Sequence, residues 1–367
     1  MKILVITQKV DKNDPVLGFF YQWIQEFSLN FEEVKVLCLE KGEYDFSKNI
    51  EVSSLGKEDG KLKLKYILNF YKYIFKERKE YEVVFVHMNQ EYVLLGGFFW
   101  KLIGKKIFLW RNHPKGNWLT EIAVFLVNNV FCTSKFSYTA KFKKTEIMPV
   151  GIDVEKYENS FEINRKKENG DIFKILYLGR IAPVKKIESI LKIMEILKKE
   201  KINFNLDVIG DEKEKNKKYL DDLKNFVIEK SLEKEIKFKP GVFGLRAVKS
   251  YEGYDLFINT TEKGSMDKTI FEAMASGVLV LTSNESLLEF FGEKYVNLLT
   301  FKEGNEEEGA LKIKGLIKIK KEEKNNILDY FREKIKKEHS LKELFRRLLR
   351  ILMKEKNNET FNNNTDL

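Results

Sequence analysis

Apolar positions recur along the chain with two spacings. Short unbroken apolar runs, bounded by glycine or polar turns, read as strands buried in a parallel sheet. Runs spaced by three and four read as helices. In the first half the strand-like runs are Lys2–Thr7, Val34–Leu39, Val83–His87, Lys106–Trp110, Phe131–Thr133 and Ile147–Val150. In the second they are Ile172–Leu178, Leu206–Ile209, Ile236–Phe238, Leu256–Asn259, Val278–Leu281 and Val296–Leu299. Helical patterns lie between most of them, and this alternation predicts βαβ units. Over Glu158–Gly170 the sequence is polar with no apolar period, which predicts a linker. The expected fold is therefore α/β: two Rossmann-like parallel-sheet domains, 1–157 and 171–338, facing a central cleft. A charged helix Lys321–Lys337 and a helix capped by Ser340 running to about Lys356 follow, with a disordered tail expected at 357–367.

Two helices change this picture. The one after Gly18 carries Phe20, Trp23, Ile24 and Phe27 on one side. Lys61–Arg78 has an apolar face of Leu64, Ile67, Leu68, Tyr71 and Phe75, ringed by Lys61, Lys63, Lys65, Lys72, Lys76 and Arg78. The plain expectation is that this face packs on the core. The sharper one is residence at an anionic membrane surface.

Composition narrows the class. A chain of 367 residues, 43% hydrophobic and 13% aromatic, can bury two cores and is not disordered. Its formal charge is +10, with lysine mixed closely with glutamate. Such a mixture is ordinarily a solvated surface; an anionic membrane face or a phosphorylated substrate are the alternatives, and nucleic acid is not an expected partner. Cys38 and Cys132 sit in apolar runs and read as buried thiols in a reducing compartment. The three histidines are scattered and no Cys-x-x-Cys occurs, so no metal site is expected. There is no 18-residue apolar run, and the opening MKILVIT reads as a strand rather than a signal peptide. A cytoplasmic location is expected, peripheral on the inner membrane face if the basic helix lies on lipid.

Candidate chemistry concentrates in two stretches. In FKILYLGRIAPVKK (173–186) a buried strand ends at Gly179 and delivers Arg180 and Lys185 into a short loop stiffened by Pro183. Open α/β sheets place ligands at such strand ends, and two cations there suit a diphosphate. In TTEKGSMDKTIFEAMASGVLVLTSN (260–284) a strand ends in a polar loop, Ser265 is placed to cap a helix, and Gly277 ends it. The start of that helix points partial positive charge to the same sheet edge. Glu272, between Phe271 and Ala273, reads as a partly buried carboxylate suited to paired hydroxyls. In the first half, strands end in His87 and Asn89 and in Arg111, Asn112 and His113, and Gly18 permits close anion approach at a helix start.

Taken together, LYLGRIAPVKK, MPVGIDVEKY, VIGD, YDLFINTT and FEAMASGVLVLTSN resemble the donor-binding domain of glycosyltransferase family four, a retaining GT-B group. The resemblance implies transfer of a sugar from a nucleotide-diphosphate sugar to a glycan or lipid-linked acceptor, without metal or other cofactor. It implies a last helix crossing back to the first domain. Arg180 and Lys185 take the place of the pair that neutralises the diphosphate, with His113 near the donor sugar and Asp267 a further catalytic candidate. The donor-binding set is Gly18, Gly179, Gly210, Val242, Phe243, Gly264, Ser265, Met266, Lys268, Thr269 and Glu272, the last holding the ribose. One departure stands out. The family's sugar-contacting glutamate, eight positions before Glu272, is here Gly264, so Asp267 or Lys268 is expected to supply that contact. Lys186 also replaces a glycine common after the loop lysine. Two alternatives to a transferase are a nucleotide-sugar epimerase of the same fold and a basic membrane- or nucleic-acid-binding module that retains only a remnant cleft.

Overall fold

The structure is a computed structural model that describes residues 1–14, 16–60, 62–168, 170–264 and 266–362, with 354–362 described by backbone alone. Ser265, Lys61 and the end of the expected tail, 363–367, lie outside the described residues. The chain divides into two compact units, Met1–Met148 with the segment from Leu344 onward, and Pro149–Glu343.

The first unit holds a seven-stranded sheet: β1 (Lys2–Val10), β2 (Glu33–Lys41), β3 (Ile50–Ser54), β4 (Val83–His87), β5 (Lys106–Trp110), β6 (Asn129–Cys132) and β7 (Thr145–Ile147). Their order is β3-β2-β1-β4-β5-β6-β7 with every described pairing parallel. Ile3–Ile6 and Val84–Val86 are essentially inaccessible, as strands covered on both faces must be. Cys38 and Cys132 are buried thiols.

The second unit holds β8 (Phe173–Leu178), β9 (Phe204–Ile209), β10 (Ile236–Lys239), β11 (Leu256–Asn259) and β12 (Leu279–Thr282), ordered β10-β9-β8-β11-β12 and parallel. Its core joins this sheet to the inner faces of the helices Ile187–Lys199, Lys268–Ala275 and Lys321–Glu338. The last helix, Leu341–Asn362, starts behind Ser340, whose hydroxyl accepts from the Glu343 amide at 3.1 Å. From Leu344 it belongs to the first unit.

Several expectations give way. The predicted linker is a helix, Glu158–Lys166, packed into the second unit. Phe161 is its one buried apolar residue. Buried Asn164 donates to the carbonyls of Tyr251 (2.9 Å) and Ser276 (2.8 Å) and accepts from the Gly253 amide (2.7 Å). The division accordingly falls after Met148, not after 157. Val296–Leu299 is no strand but the end of a helix, Leu288–Leu299, broken at Gly292 (φ 66°). Edge strand β3 has no counterpart in the apolar pattern, and β7 stops at Ile147. After β6 the Ser134 hydroxyl accepts from the Phe136 amide in a turn. The last helix passes the expected end near Lys356 and continues to Asn362.

The basic helix Lys63–Lys76 reverses its expected orientation. Phe70 and Ile74 are the residues it buries, while Leu64, Ile67, Leu68 and Phe75 are exposed.

Candidate functional site

In the second unit the chain runs outward from β8 through β9 to β10, then returns to the other side of β8 as β11. The loops leaving β8 and β11 therefore diverge at the point where strand order reverses, where an open α/β sheet forms its crevice.

The β8 loop is fixed by backbone. Tyr177 donates its hydroxyl to the Arg180 carbonyl at 2.9 Å. The Ile181 amide bonds the Asp211 carbonyl at 3.0 Å, tying the loop to the end of β9. A Cβ on Gly210 would lie 1.8 Å from the Gly179 carbonyl oxygen, so glycine is required where the two strand ends meet. The Arg180 side chain is exposed and forms no ion pair among the described residues.

Lys185 ends a single turn, Pro183–Lys185, and is buried; its ammonium pairs with Asp267. Thr260, just past β11, shares its hydroxyl between the carbonyls of Lys185 (2.8 Å) and Lys186 (2.9 Å). These contacts staple the β8 and β11 loops together. Lys186 adopts the left-handed conformation (φ 48°, ψ 45°), which explains why glycine is the common choice there. Its ammonium pairs with Glu303 and, at 3.6 Å, with Glu262.

Asp267 is held from three sides, by Lys185, by Asn259 Nδ2 at 3.1 Å and by Thr261 Oγ1 at 3.0 Å. Burial opposes its ionisation, but the charge of Lys185 and these hydrogen bonds outweigh it and hold the carboxyl below its usual range. Asp267 also stands at the cap of the helix Lys268–Ala275, yet its side chain makes no capping bond because it is turned to Lys185. Among the described residues, therefore, no side chain caps the helix, and Thr269 Oγ1 is buried there without a hydrogen-bond partner.

One turn on, Glu272 accepts from the Tyr251 hydroxyl at 3.0 Å, with Tyr157 on the same carboxylate. Burial pushes its carboxyl above the usual range despite those bonds and the charge of Lys268. Half-buried Lys268 is itself pushed down to about 8 by desolvation, partly offset by Glu272.

Gly264 sits at φ 112°, a conformation that disfavours any side chain, and its amide donates to Ser286 Oγ at 2.8 Å. A glutamate at this position would therefore require a different backbone conformation. Glu262 is exposed, and Met266 packs against the core. Val242 is half-buried and Phe243 exposed in the loop after β10.

Of the expected residues, Lys185 and Asp267 meet directly, Lys268 and Glu272 lie one turn apart on one helix, and Gly179 and Gly210 pack together. The pattern missed Asn259, Thr260, Thr261, Tyr157 and Tyr251. The first three stood in the quoted Thr-Thr strand end and Tyr157 in MPVGIDVEKY; nothing local marks Tyr251.

In the first unit, Gly18 opens the helix Gly18–Asn30, its amide bonded to the Asp14 carbonyl at 2.9 Å. His113 is exposed, with Nδ1 3.0 Å from the Lys115 amide. Its neighbour Arg111 is buried and donates to the Lys115 carbonyl at 2.9 Å. His87 is buried, stacked on Phe20 at 3.8 Å and 3.3 Å from Thr7 Oγ1, the setting of a packed core histidine. Among the described residues no group of three or more His, Cys, Asp or Glu is arranged to hold a metal ion.

A family model described as glycosyl transferases group 1 matches residues 158–364, more than half of the chain. No curated protein sequence matches it. Among solved structures, Anabaena HepE in complex with UDP is similar with a TM-score of 0.75 at 16% identity, over 96% of this chain and 99% of that one. HepE has also been solved with UDP-glucose. Sucrose-phosphate synthase from Thermosynechococcus elongatus gives 0.76 at 13% identity, over 96% and 98%. A glycosyltransferase from Rickettsia africae gives 0.74 at 14%, over 96% and 98%. At these identities the structural likenesses establish the fold.

Proposed function

Since the chain belongs to the glycosyl transferases group 1 family and is a glycosyltransferase of GT-B fold, we propose that its second unit binds a nucleotide-diphosphate sugar and transfers the sugar with retention, without metal, to a glycan or lipid-linked acceptor. The observation that carries this is the stapled pair of loops at the strand-order reversal, which brings a braced ammonium, Lys185, to a helix start that no described side chain caps. A diphosphate there receives Lys185, Arg180 and the first amides of Lys268–Ala275. Glu272, held by Tyr251 and Tyr157, takes the ribose hydroxyls once ionised. Lys268, the first residue of the helix that follows the Gly264 loop, is the cation assigned to the sugar end. The UDP and UDP-glucose complexes of HepE support a donor of this chemical type.

In the reaction the bond between the anomeric carbon and the β-phosphate oxygen breaks, its electron pair staying on the phosphate. The acceptor oxygen bonds the same face of the sugar, and its proton passes to the departing phosphate. The protein supplies charge fixed in advance where the leaving group becomes more negative. Removing one such donor typically costs about a hundredfold to a thousandfold in turnover. Arg180→Ala should therefore lose turnover to that extent on the donor that a panel of nucleotide sugars identifies, with an unchanged circular dichroism spectrum, while EDTA leaves the wild-type rate intact. Undiminished turnover in Arg180→Ala overturns the assignment.

A further inference from the structure

Three helices of the first unit carry large apolar side chains on their outer sides. The path β3, Lys63–Lys76, β4, Gln90–Leu102, β5, Trp118–Leu126, β6 advances in one direction across the sheet. Right-handed crossovers therefore lay the three helices side by side on one sheet face. Their inner sides supply Phe70, Ile74, Val93, Trp100, Ala123 and Val124 to the core. Their outer sides present Leu64 and Leu68, Phe98 and Leu102, and Trp118 and Phe125, each between 60% and 76% exposed. Within each helix these residues are four or seven apart, so each forms a stripe. The stripes adjoin: the Phe75 ring meets Phe99 at 4.5 Å, and the Lys101 ammonium lies 4.8 Å over the Phe125 ring.

Cations predominate on the same helices. Lys63–Lys76 contains Lys63, Lys65, Lys72 and Lys76 and no acidic residue, Lys76 pairing with Glu77 just beyond it at 3.2 Å. Gln90–Leu102 sets Lys101 against one exposed carboxylate, Glu91, in its first turn. Glu121, on the third helix, is taken up by Lys141 and the Tyr138 hydroxyl. Contiguous apolar surface of this kind, fringed by cations, marks an interaction site. We infer that this three-helix face lies on an anionic phospholipid bilayer, its apolar stripes at the headgroup–acyl boundary and its lysines among the phosphates. No described helix is long and apolar enough to cross a membrane, so the contact is in-plane. A second copy on the same face would oppose like charges, and nucleic acid would leave the apolar stripes uncovered.

The native chain carries its own reporter. Of four tryptophans, Trp23, Trp100 and Trp110 are buried and Trp118 is exposed. The full chain should sediment with vesicles of equimolar phosphatidylcholine and phosphatidylglycerol, and much less with phosphatidylcholine alone. Trp118 emission should shift to the blue and be quenched by lipids brominated near the headgroup; Trp118→Phe should lose the shift. Leu68→Glu with Phe125→Glu, both at exposed positions, should weaken vesicle binding about tenfold or more, and Lys72→Glu with Lys76→Glu comparably at low salt. Arg180→Ala should bind vesicles like the wild type, which separates this inference from the donor site. It is overturned by failure to bind anionic vesicles at low salt, or by undiminished binding of the Leu68→Glu, Phe125→Glu variant. It is equally overturned by a dimer in sedimentation velocity that this variant converts to monomer, or by DNA that displaces the vesicles.

Discussion

Lys185 and Asp267 retain only 10% and 16% of side-chain exposure, so neither charge is solvated well enough to stand alone. Replacing Asp267 with Asn keeps the shape and the bonds to Asn259 and Thr261 but strands the ammonium, at a cost of about 2–3 kcal/mol. The effect has a pH signature. Because the folded protein holds the Asp267 carboxyl below its ordinary value of 3.8, the carboxylate stabilises the fold fully above that value. The contribution is lost as pH falls through the lower, folded value. Urea unfolding of wild type and Asp267→Asn should give stability curves that run parallel from pH 7 to 5 and converge below about 3.8. Equal stabilities at pH 7 would mean that the pair contributes nothing. The same pair defines what Lys185 brings to a ligand: an ammonium whose position is set before binding, so less ordering remains when an anion arrives.

At the scale of elements, the β8–β9 junction controls where Arg180 emerges. A methyl at Gly210 would meet the Gly179 carbonyl, a backbone atom that cannot rotate aside as a flexible side chain would. Gly210→Ala should cost about 1–3 kcal/mol in denaturant unfolding, the usual range for overpacking, and raise the KM for donor. A variant with wild-type stability and KM would show that the loop adapts freely. Of the strands meeting here, β8 was legible because Ile175–Leu178 is an apolar run buried on both faces, and β9 because Leu206, Val208 and Ile209 are buried around a single half-exposed Asp207. β3 was not, because IEVSS at a sheet edge is half-exposed and mixes polar with apolar residues. Val296–Leu299 misled because four residues cannot separate the two periods. Glu158–Lys166 was read as linker because what it buries is largely hydrogen-bonding, Ser160 and Asn164 beside Phe161. In the candidate site the charges lie in contiguous stretches and could be read. Tyr251 reaches Glu272 from a separate part of the chain, and only the fold brings them together. Lys63–Lys76 is the most instructive case: its dominant apolar stripe looks like a core face, and the true inner face, Phe70 and Ile74, is the smaller of the two.

At the scale of the molecule, the first unit is completed by the end of the chain. Leu344, Phe345, Leu348 and Leu352 are at most 2% exposed, and the Phe345 ring lies 5.1 Å from Phe27 and 5.9 Å from Trp23. Arg347 donates to the carbonyl of Ile147 at 2.7 Å, beside the last strand of the same sheet. Burying a large apolar side chain is worth about 1.5–3 kcal/mol, so these four contribute roughly 6–12 kcal/mol. That is comparable to the whole stability of an ordinary domain, about 5–15 kcal/mol. The second unit, Pro149–Glu343, is continuous in sequence and complete before that segment, its last core helix being Lys321–Glu338. During synthesis it can therefore fold before the first unit, reversing the usual amino-terminal-first order. A chain ending at Glu343 should keep slow amide exchange through β8–β12 and lose it through β1–β7, while the full chain protects both sheets. Protection of β1–β7 in the shortened chain would mean that the helix from Leu344 onward decorates a unit already stable by itself.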